Sequence, residues 1–374
     1  MEKPKKSLRG MLIALALGAV TGLIIGVLRT NFSATERDYE SSGISFMRWV
    51  VLLVSLFVSV YLHTIIHEAG HLIAGKLSGY KFVSFRVGKL TIIRKEDKLL
   101  AKKYELMGTI GQCLMSPPEV TDTQYKFPIA FYNLGGGLAN ILFAALFFIV
   151  GVLTSGYVSV AFMVLAIVGV FSCLANIIPL KLGGIANDGS NIIACRKSAE
   201  TRRALWIQLK FVALITQGVR VCDMPQEWME NIATPTDALT GFLPGLRCSY
   251  HLDKGEIQQA YDYAKSVLEN PGKMLELHKY ELRCEMLFCE LVSECRPDEI
   301  KKLYTAKLRE YISAHATHVS KQRLMYAYER LYAKYEVKAK KTLESFERTC
   351  LHTPFQGEIA GERELIELVK RIAK

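Results

Sequence analysis

The hydrophobic residues of this chain are concentrated in four long runs that lie before about Pro179. The runs cover residues 10–28, 46 to about 77, about 128–153 and about 158–180. An α-helix needs about twenty apolar residues to cross the hydrocarbon core of a bilayer, and each run is long enough. The pattern therefore predicts an α-helical integral membrane protein with about four transmembrane helices.

A shorter pattern of alternation lies between the second and third apolar runs. In segments 82–87 and 90–93, strand-forming residues alternate with polar ones, which is typical of strands with one buried face. Residues 80–110 are therefore expected to form two or three short strands, a small β segment on the cytosolic side. An edge of this sheet offers backbone groups with which an extended substrate segment can pair.

After about residue 190 the apolar residues recur at helical spacing between polar faces, with breaks at proline and glycine. Residues 250–271 loosely resemble one tetratricopeptide repeat. We therefore expect three parts. They are an N-terminal membrane anchor with a short external loop (1–45), a membrane core (46–192) and a cytosolic all-α domain (193–374). The last part is expected to be α-solenoid-like and to dock a partner or cover the cytosolic mouth of a site.

The charge distribution predicts the orientation of the chain. The 47 Lys and Arg residues against 36 Asp and Glu residues give a net charge of +11, and basic residues cluster in alternate loops. Positive loops stay inside, so both termini are expected in the cytosol. The membrane itself is expected to be a bacterial cytoplasmic membrane. The surplus also favours contact with anionic lipid headgroups. The sequence carries no recognisable nucleic-acid-binding module, and the spacing of the nine cysteines favours free thiols.

The candidate chemistry lies at the end of the second apolar run, in His67-Glu68-Ala69-Gly70-His71. Two histidines four residues apart project from one face of a helix and can bind one metal ion. A glutamate between them is placed to act as a general base toward water at the metal. Ionisable residues at membrane depth are costly and mark functional sites, so this motif predicts a zinc centre near the cytosolic side.

A hydrolytic zinc site needs a third protein ligand besides the two histidines. Asp188 is the best candidate, because it follows the fourth apolar run, which ends at the same membrane depth as the motif. A different class of membrane metalloprotease uses a glutamate on a later apolar span. None of the other three runs carries an acidic residue, which argues against that class.

Three motifs, in order, resemble those of the site-2-protease-type intramembrane zinc metalloproteases (peptidase family M50), over roughly residues 51–192. They are His67-Glu68-x-x-His71, the glycine-rich segment 135–140 that ends in Asn140, and Asn176-x-x-Pro179 followed by Asp188-Gly189. This sequence departs from the commoner pattern in two places. Asn187 stands where leucine is usual, and the spacer from Pro179 to Asp188 is longer.

The resemblance implies one zinc ion per chain, held by His67, His71 and Asp188, with Glu68 as the general base. It also implies that Asn140 and Asn176 hold the unwound backbone of a substrate or polarise its carbonyl. The substrates implied are membrane-spanning proteins or peptides, cut in regulated intramembrane proteolysis or in signal-peptide processing.

Other interpretations of the same residues stay open. The alternative function is a non-catalytic membrane scaffold that binds partners through its helical domain. The glycines of segment 135–137 serve close helix packing equally well. His63, four residues before His67, is more typical of a structural histidine than of a ligand, and Asn176 suits a helix end before Pro179.

Overall fold

The computed structural model describes residues 42–95, 98–104, 109–179, 181–182 and 185–374. They divide into two compact units. Residues up to 78, together with 130–180 and 187–190, form the first, and residues 79–129, 181–186 and 191–374 form the second.

The first unit is built from three long apolar helices. They are α1 (Ser42–Leu77), α2 (Ile129–Leu153) and α3 (Gly156–Ile177). Within the described residues, these are the helices that are long and apolar enough to cross a membrane. They correspond to the second, third and fourth predicted runs, while the first run, 10–28, lies outside the described residues.

Glycines allow α1 and α2 to cross at very short distance. A Cβ atom built on Gly70 of α1 would lie 2.3 Å from the carbonyl oxygen of Gly135 on α2. A Cβ atom on Gly135 would in turn lie 2.5 Å from the carbonyl oxygen of Gly70. Small residues at helix contacts in membranes permit such backbone approach. The crossing lies within the zinc-type motif itself, since Gly70 precedes His71.

The second unit begins with a four-stranded antiparallel sheet. Its strands are β1 (Lys81–Val87), β2 (Leu90–Lys95), β3 (Lys98–Lys103) and β4 (Gly111–Ser116), in the spatial order β3-β2-β1-β4. The predicted strands in 80–110 are confirmed. The fourth strand was missed because its sequence, Gly-Gln-Cys-Leu-Met-Ser, has no β-branched or aromatic residue.

The remainder of the second unit is helical, as predicted. A two-residue strand pair, β5 (Lys181–Leu182) and β6 (Ile185–Ala186), leads into α4 (Asp188–Lys197), whose first turn belongs to the first unit. The helices that follow are α5 (Ala199–Gln217), α6 (Phe242–Asp253), α7 (Ile257–Glu269), α8 (Glu276–Val292), α9 (Pro297–Leu303), α10 (Ala306–Ala314), α11 (Val319–Ala327), α12 (Glu336–His352) and α13 (Gln356–Ile372). A large apolar core runs through α6 to α13. The likeness of residues 250–271 to a tetratricopeptide repeat stays a prediction.

Candidate metal centre

His67 and His71 lie one turn apart on α1, and their rings meet edge to face. Their Nε2 atoms are 3.0 Å apart, and both residues are largely withdrawn from solvent. Two imidazole nitrogens approach so closely in a helix because residues i and i+4 lie one above the other on the same face. The pair presents two nitrogen donors to one point.

Asp188, the first residue of α4, brings an oxygen donor to the same point. Its Oδ2 atom is 3.3 Å from His67 Nε2 and 3.3 Å from His71 Nε2. This oxygen is buried and has no hydrogen-bond partner among the described residues. The three residues form a group with metal-ligand geometry within the described part of the chain.

The size of this triangle fits a tetrahedral zinc ion. Ligand atoms at about 2.0–2.1 Å from the centre of a tetrahedron lie about 3.3–3.4 Å from one another. The observed separations of 3.0, 3.3 and 3.3 Å match that edge length. Two neutral imidazoles and one carboxylate are also a donor set that zinc prefers. The residues present therefore fit the metal, with one corner left for water or substrate.

Asn187 and Gly189 hold Asp188 in place. The Asn187 side-chain amide donates to the carbonyl oxygens of Ala175, at 2.7 Å, and Ile178, at 2.6 Å, at the end of α3. Its Oδ1 atom accepts a hydrogen bond from the backbone N–H of Ser190. A Cβ atom at position 189 would lie 1.9 Å from the Ile177 carbonyl oxygen, so only glycine fits there. The departure from leucine at position 187 thus has a structural role, because this asparagine ties the start of α4 to α3.

The other ring nitrogen of His71 is fixed by α2. Its Nδ1 atom lies 2.8 Å from the carbonyl oxygen of Tyr132, which can only accept, so Nδ1 carries the proton. The Nε2 lone pair of the neutral ring is then directed toward Asp188. Outer hydrogen bonds of this kind orient metal-ligating histidines and select their tautomer.

His67 is oriented by Asn140 and, through it, by His63. The Nε2 atom of His63 is 2.9 Å from the Leu165 carbonyl oxygen, so a neutral His63 holds its proton on Nε2 and accepts at Nδ1. As placed, Asn140 Oδ1 lies 3.0 Å from His63 Nδ1, and Asn140 Nδ2 lies 3.2 Å from His67 Nδ1.

A neutral His63 with its proton on Nε2 cannot donate to Oδ1, so we assign the amide the opposite orientation, in which a half-turn exchanges its oxygen and nitrogen and both rings are satisfied. In it, the Asn140 NH₂ group donates to His63, while the Asn140 carbonyl accepts from Nδ1–H of His67. That arrangement leaves the His67 Nε2 lone pair directed at the metal position. His63 and Asn140 are both buried, at 1% and 0% exposure, so water does not compete for these hydrogen bonds.

The remaining predicted residues lie in different settings. Glu68 is buried on α1 at 8% exposure, directly between the two histidines in sequence. Asn176 donates to the Ser172 carbonyl oxygen of its own helix, 2.9 Å away. The structure thus brings His67, His71, Asp188 and Asn140 together, whereas the Asn176 amide is engaged within α3. The link from His63 was missed by sequence reasoning, because its partner Asn140 is 77 residues away.

Apolar helices of membrane-spanning length beside a two-histidine, one-carboxylate donor set are typical of a membrane metallopeptidase. The chain belongs to peptidase family M50, whose family model matches residues 52–359. That range covers most of the chain, including every residue of the candidate metal centre. No curated protein and no solved structure matches the chain. Membership makes the protein part of a membrane-embedded, zinc-dependent peptidase family.

Proposed function

We propose that this protein is a zinc endopeptidase that hydrolyses peptide bonds of membrane-spanning substrates. One observation carries the proposal. The ligand atoms of His67, His71 and Asp188 are spaced as three corners of a zinc tetrahedron, and they lie in the unit that contains the three apolar helices. A water-soluble substrate would not require its catalytic centre to be held by such helices. The intact donor set also argues against the non-catalytic scaffold.

His67, His71 and Asp188 would hold the zinc ion. When bound, zinc supplies Lewis acidity, which activates water and polarises a peptide carbonyl. Glu68 takes the proton of the attacking water and delivers it to the leaving amine.

The chain's own hydrogen bonds organise this chemistry. Tyr132 and Asn140 keep the proton of each imidazole on the nitrogen that faces away from the metal. Because the Asn140 amide already serves two histidines, it is favoured as a positioning residue over a substrate contact. Asn176 is retained as a contact to the unwound substrate backbone, in line with the family's Asn-x-x-Pro segment.

Substrates of this enzyme are membrane proteins or peptides that undergo regulated intramembrane proteolysis or signal-peptide processing. The alternate basic loops support a bacterial cytoplasmic membrane with both termini in the cytosol. In that orientation the helical domain docks a partner or substrate tail. Anionic headgroups attract the basic loops.

The test compares cells that produce the wild-type chain with cells that produce Glu68→Gln. Protein termini in the membrane fraction are mapped by mass spectrometry, and zinc per chain is measured on both purified proteins. We expect new termini within or beside membrane spans only with wild type, while both proteins hold zinc. Identical termini in the two samples, with zinc bound in both, would favour the scaffold.

A further inference from the structure

The helical part of the second unit contains a second candidate site, distinct from the metal centre. A cavity of about 390 Å³ lies among α5, α6, α8, α11 and α13. Its size is in the range of small-molecule sites. One wall is apolar and aromatic, and includes Phe211, Ile215, Phe242, Leu246, Phe355 and Leu365.

The lining of the same cavity also carries an excess of carboxylates. Four of them line the cavity, namely Glu281, Glu285, Glu358 and Glu362. Two buried cations compensate them in part. Lys321 Nζ lies 2.6 Å from Glu281, and Arg323 lies 2.7 Å from both Glu285 and Glu362. The remaining ionic pair at the cavity, Arg220 with Asp253, is internally balanced.

Glu358 is the carboxyl group without a partner. It forms no hydrogen bond or ion pair with the residues that the structure describes, although it lines the cavity wall. Glu358 is half-buried, and a carboxylate partly withdrawn from water without a cation or a hydrogen bond is costly, so native proteins pair such groups. Because Glu358 lines the cavity, a cation bound in the cavity could serve as its partner.

Arg323 adds a second unsatisfied group to the cavity lining. Its side chain is 1% exposed, and its Nη1 atom has no hydrogen-bond partner in the described part of the chain. A guanidinium N–H is only a donor, so it needs an oxygen acceptor. The cavity therefore lacks one cation, beside Glu358, and one acceptor, near Arg323.

We propose that this cavity binds an alkyl ammonium or guanidinium group on an apolar stem, with Glu358 as its counter-ion. The apolar wall accommodates the stem, and an oxygen of the ligand accepts from Arg323. Two sources share this chemistry: a free organic amine, and a lysine or arginine side chain of a peptide. The inference does not depend on the proposed peptidase activity.

The experiment is calorimetric titration of the full chain in a nonionic detergent, with titration into empty micelles subtracted. The peptide arm uses N-acetyl-lysine methylamide and its uncharged match, N-acetyl-norleucine methylamide. The amine arm uses 4-methoxyphenethylammonium, whose ether oxygen can accept from Arg323, and its uncharged match, 2-(4-methoxyphenyl)ethanol. We expect at least one ammonium probe to bind with a Kd on the order of 1 mM, and its uncharged match to bind at least about tenfold more weakly. The arm that binds identifies the source.

Two variants test the residues. Glu358→Gln removes the counter-ion and should weaken the ammonium probe about tenfold or more, since charge-assisted hydrogen bonds are strong. Gly245→Leu should weaken binding of the ammonium probe by filling the cavity without changing its charge. Gly245 lines the cavity, and a Cβ there meets nothing within 4 Å. Glu310→Gln, the same chemical change at an exposed position, should leave binding unchanged.

Three results would overturn the proposal. One is equal binding of the charged and uncharged probes, which would make the cavity merely apolar. Another is unchanged affinity in Glu358→Gln. The third is no binding of either ammonium probe up to about 10 mM by the wild-type chain.

Discussion

At the scale of single residues, the metal centre depends on which ring nitrogen of each histidine carries a proton. For His71 the Tyr132 carbonyl decides this directly. For His67 the position of the proton is set through a chain of hydrogen bonds that runs from the Leu165 carbonyl to His63 and then to Asn140. The spacing of His67 and His71 is local, so the sequence predicts their pairing. The partnership of His63 and Asn140 depends on tertiary packing and has no signature in the spacing.

Replacing Asn140 by leucine should weaken zinc binding by about 10–100-fold, as loss of an outer hydrogen bond to a ligating histidine does. The physical reason is that His67 is then free to place its proton on Nε2. Zinc affinity is measured by competition with a chelator. Asn176→Leu is the matched control and should keep wild-type affinity, because its amide donates to the Ser172 carbonyl oxygen of its own helix and not to a ring of the metal centre. Equal zinc affinities in the two variants would show that Asn140 has no positioning role.

At the scale of elements, the centre depends on how closely α1 and α2 cross. The glycine-rich segment predicts close packing in general, but the partner of each glycine becomes visible only in the fold. Gly70 meets Gly135, and Gly136 lies against the His67 ring, where a Cβ would be 2.5 Å from Cε1. The same glycine-rich segment therefore allows the close helix packing and leaves room for the His67 ring.

Gly135→Ala should separate α1 from α2, because the new methyl group would meet the Gly70 backbone. Overpacking of this kind costs about 1–3 kcal/mol, so we expect a lower unfolding temperature and weaker zinc binding together. Both are measured in detergent, by thermal unfolding and chelator competition. On the same helix, Gly151→Ala meets only the flexible Met163 side chain, at 3.2 Å, and should change neither property. A Gly135→Ala protein that matches Gly151→Ala in both would contradict the close crossing.

At the scale of the whole molecule, the chain combines a unit of apolar, membrane-length helices and a second, mostly helical unit, and the two are predictable to different degrees. Long apolar runs predict membrane helices because the bilayer requires them. In the helical unit, charged residues at helical spacing indicate a solvated face, yet Lys321 and Arg323 are each 1% exposed. Their partners Glu281 and Glu285 are 40 and 38 residues away, so the sequence alone gives no sign of the buried cluster.

The buried cluster makes the stability of the folded chain depend on pH. Burial, reinforced by the Glu362 carboxylate, raises the pKa of Glu358 from 4.5 to about 7, although Lys321 and Arg323 oppose the shift. The folded chain therefore keeps a proton that the unfolded chain releases. Stability due to this group is fully present below pH 4.5 and is lost as pH rises to about 7, by at most about 3 kcal/mol.

Glu358→Gln removes this loss, so the variant should unfold at a higher temperature than wild type at pH 8. The difference should shrink as pH is lowered toward 4.5. Thermal unfolding followed by circular dichroism between pH 5 and pH 8 measures it. The exposed substitution Glu310→Gln should follow the wild-type curve throughout. A Glu358→Gln protein that is less stable than wild type at pH 8 would show that the carboxylate is paired in the folded chain.

The most direct test of the central claim is the zinc content and zinc environment of the purified chain. Metal analysis with X-ray absorption should find about one zinc per chain, bound by nitrogen and oxygen atoms at about 2.0–2.1 Å. Asp188→Ala should lose that zinc, and the surface substitution Asp262→Ala should keep it. A well-folded wild-type chain that binds no added zinc, or an Asp188→Ala chain that binds it as tightly as wild type, would contradict the three-ligand centre.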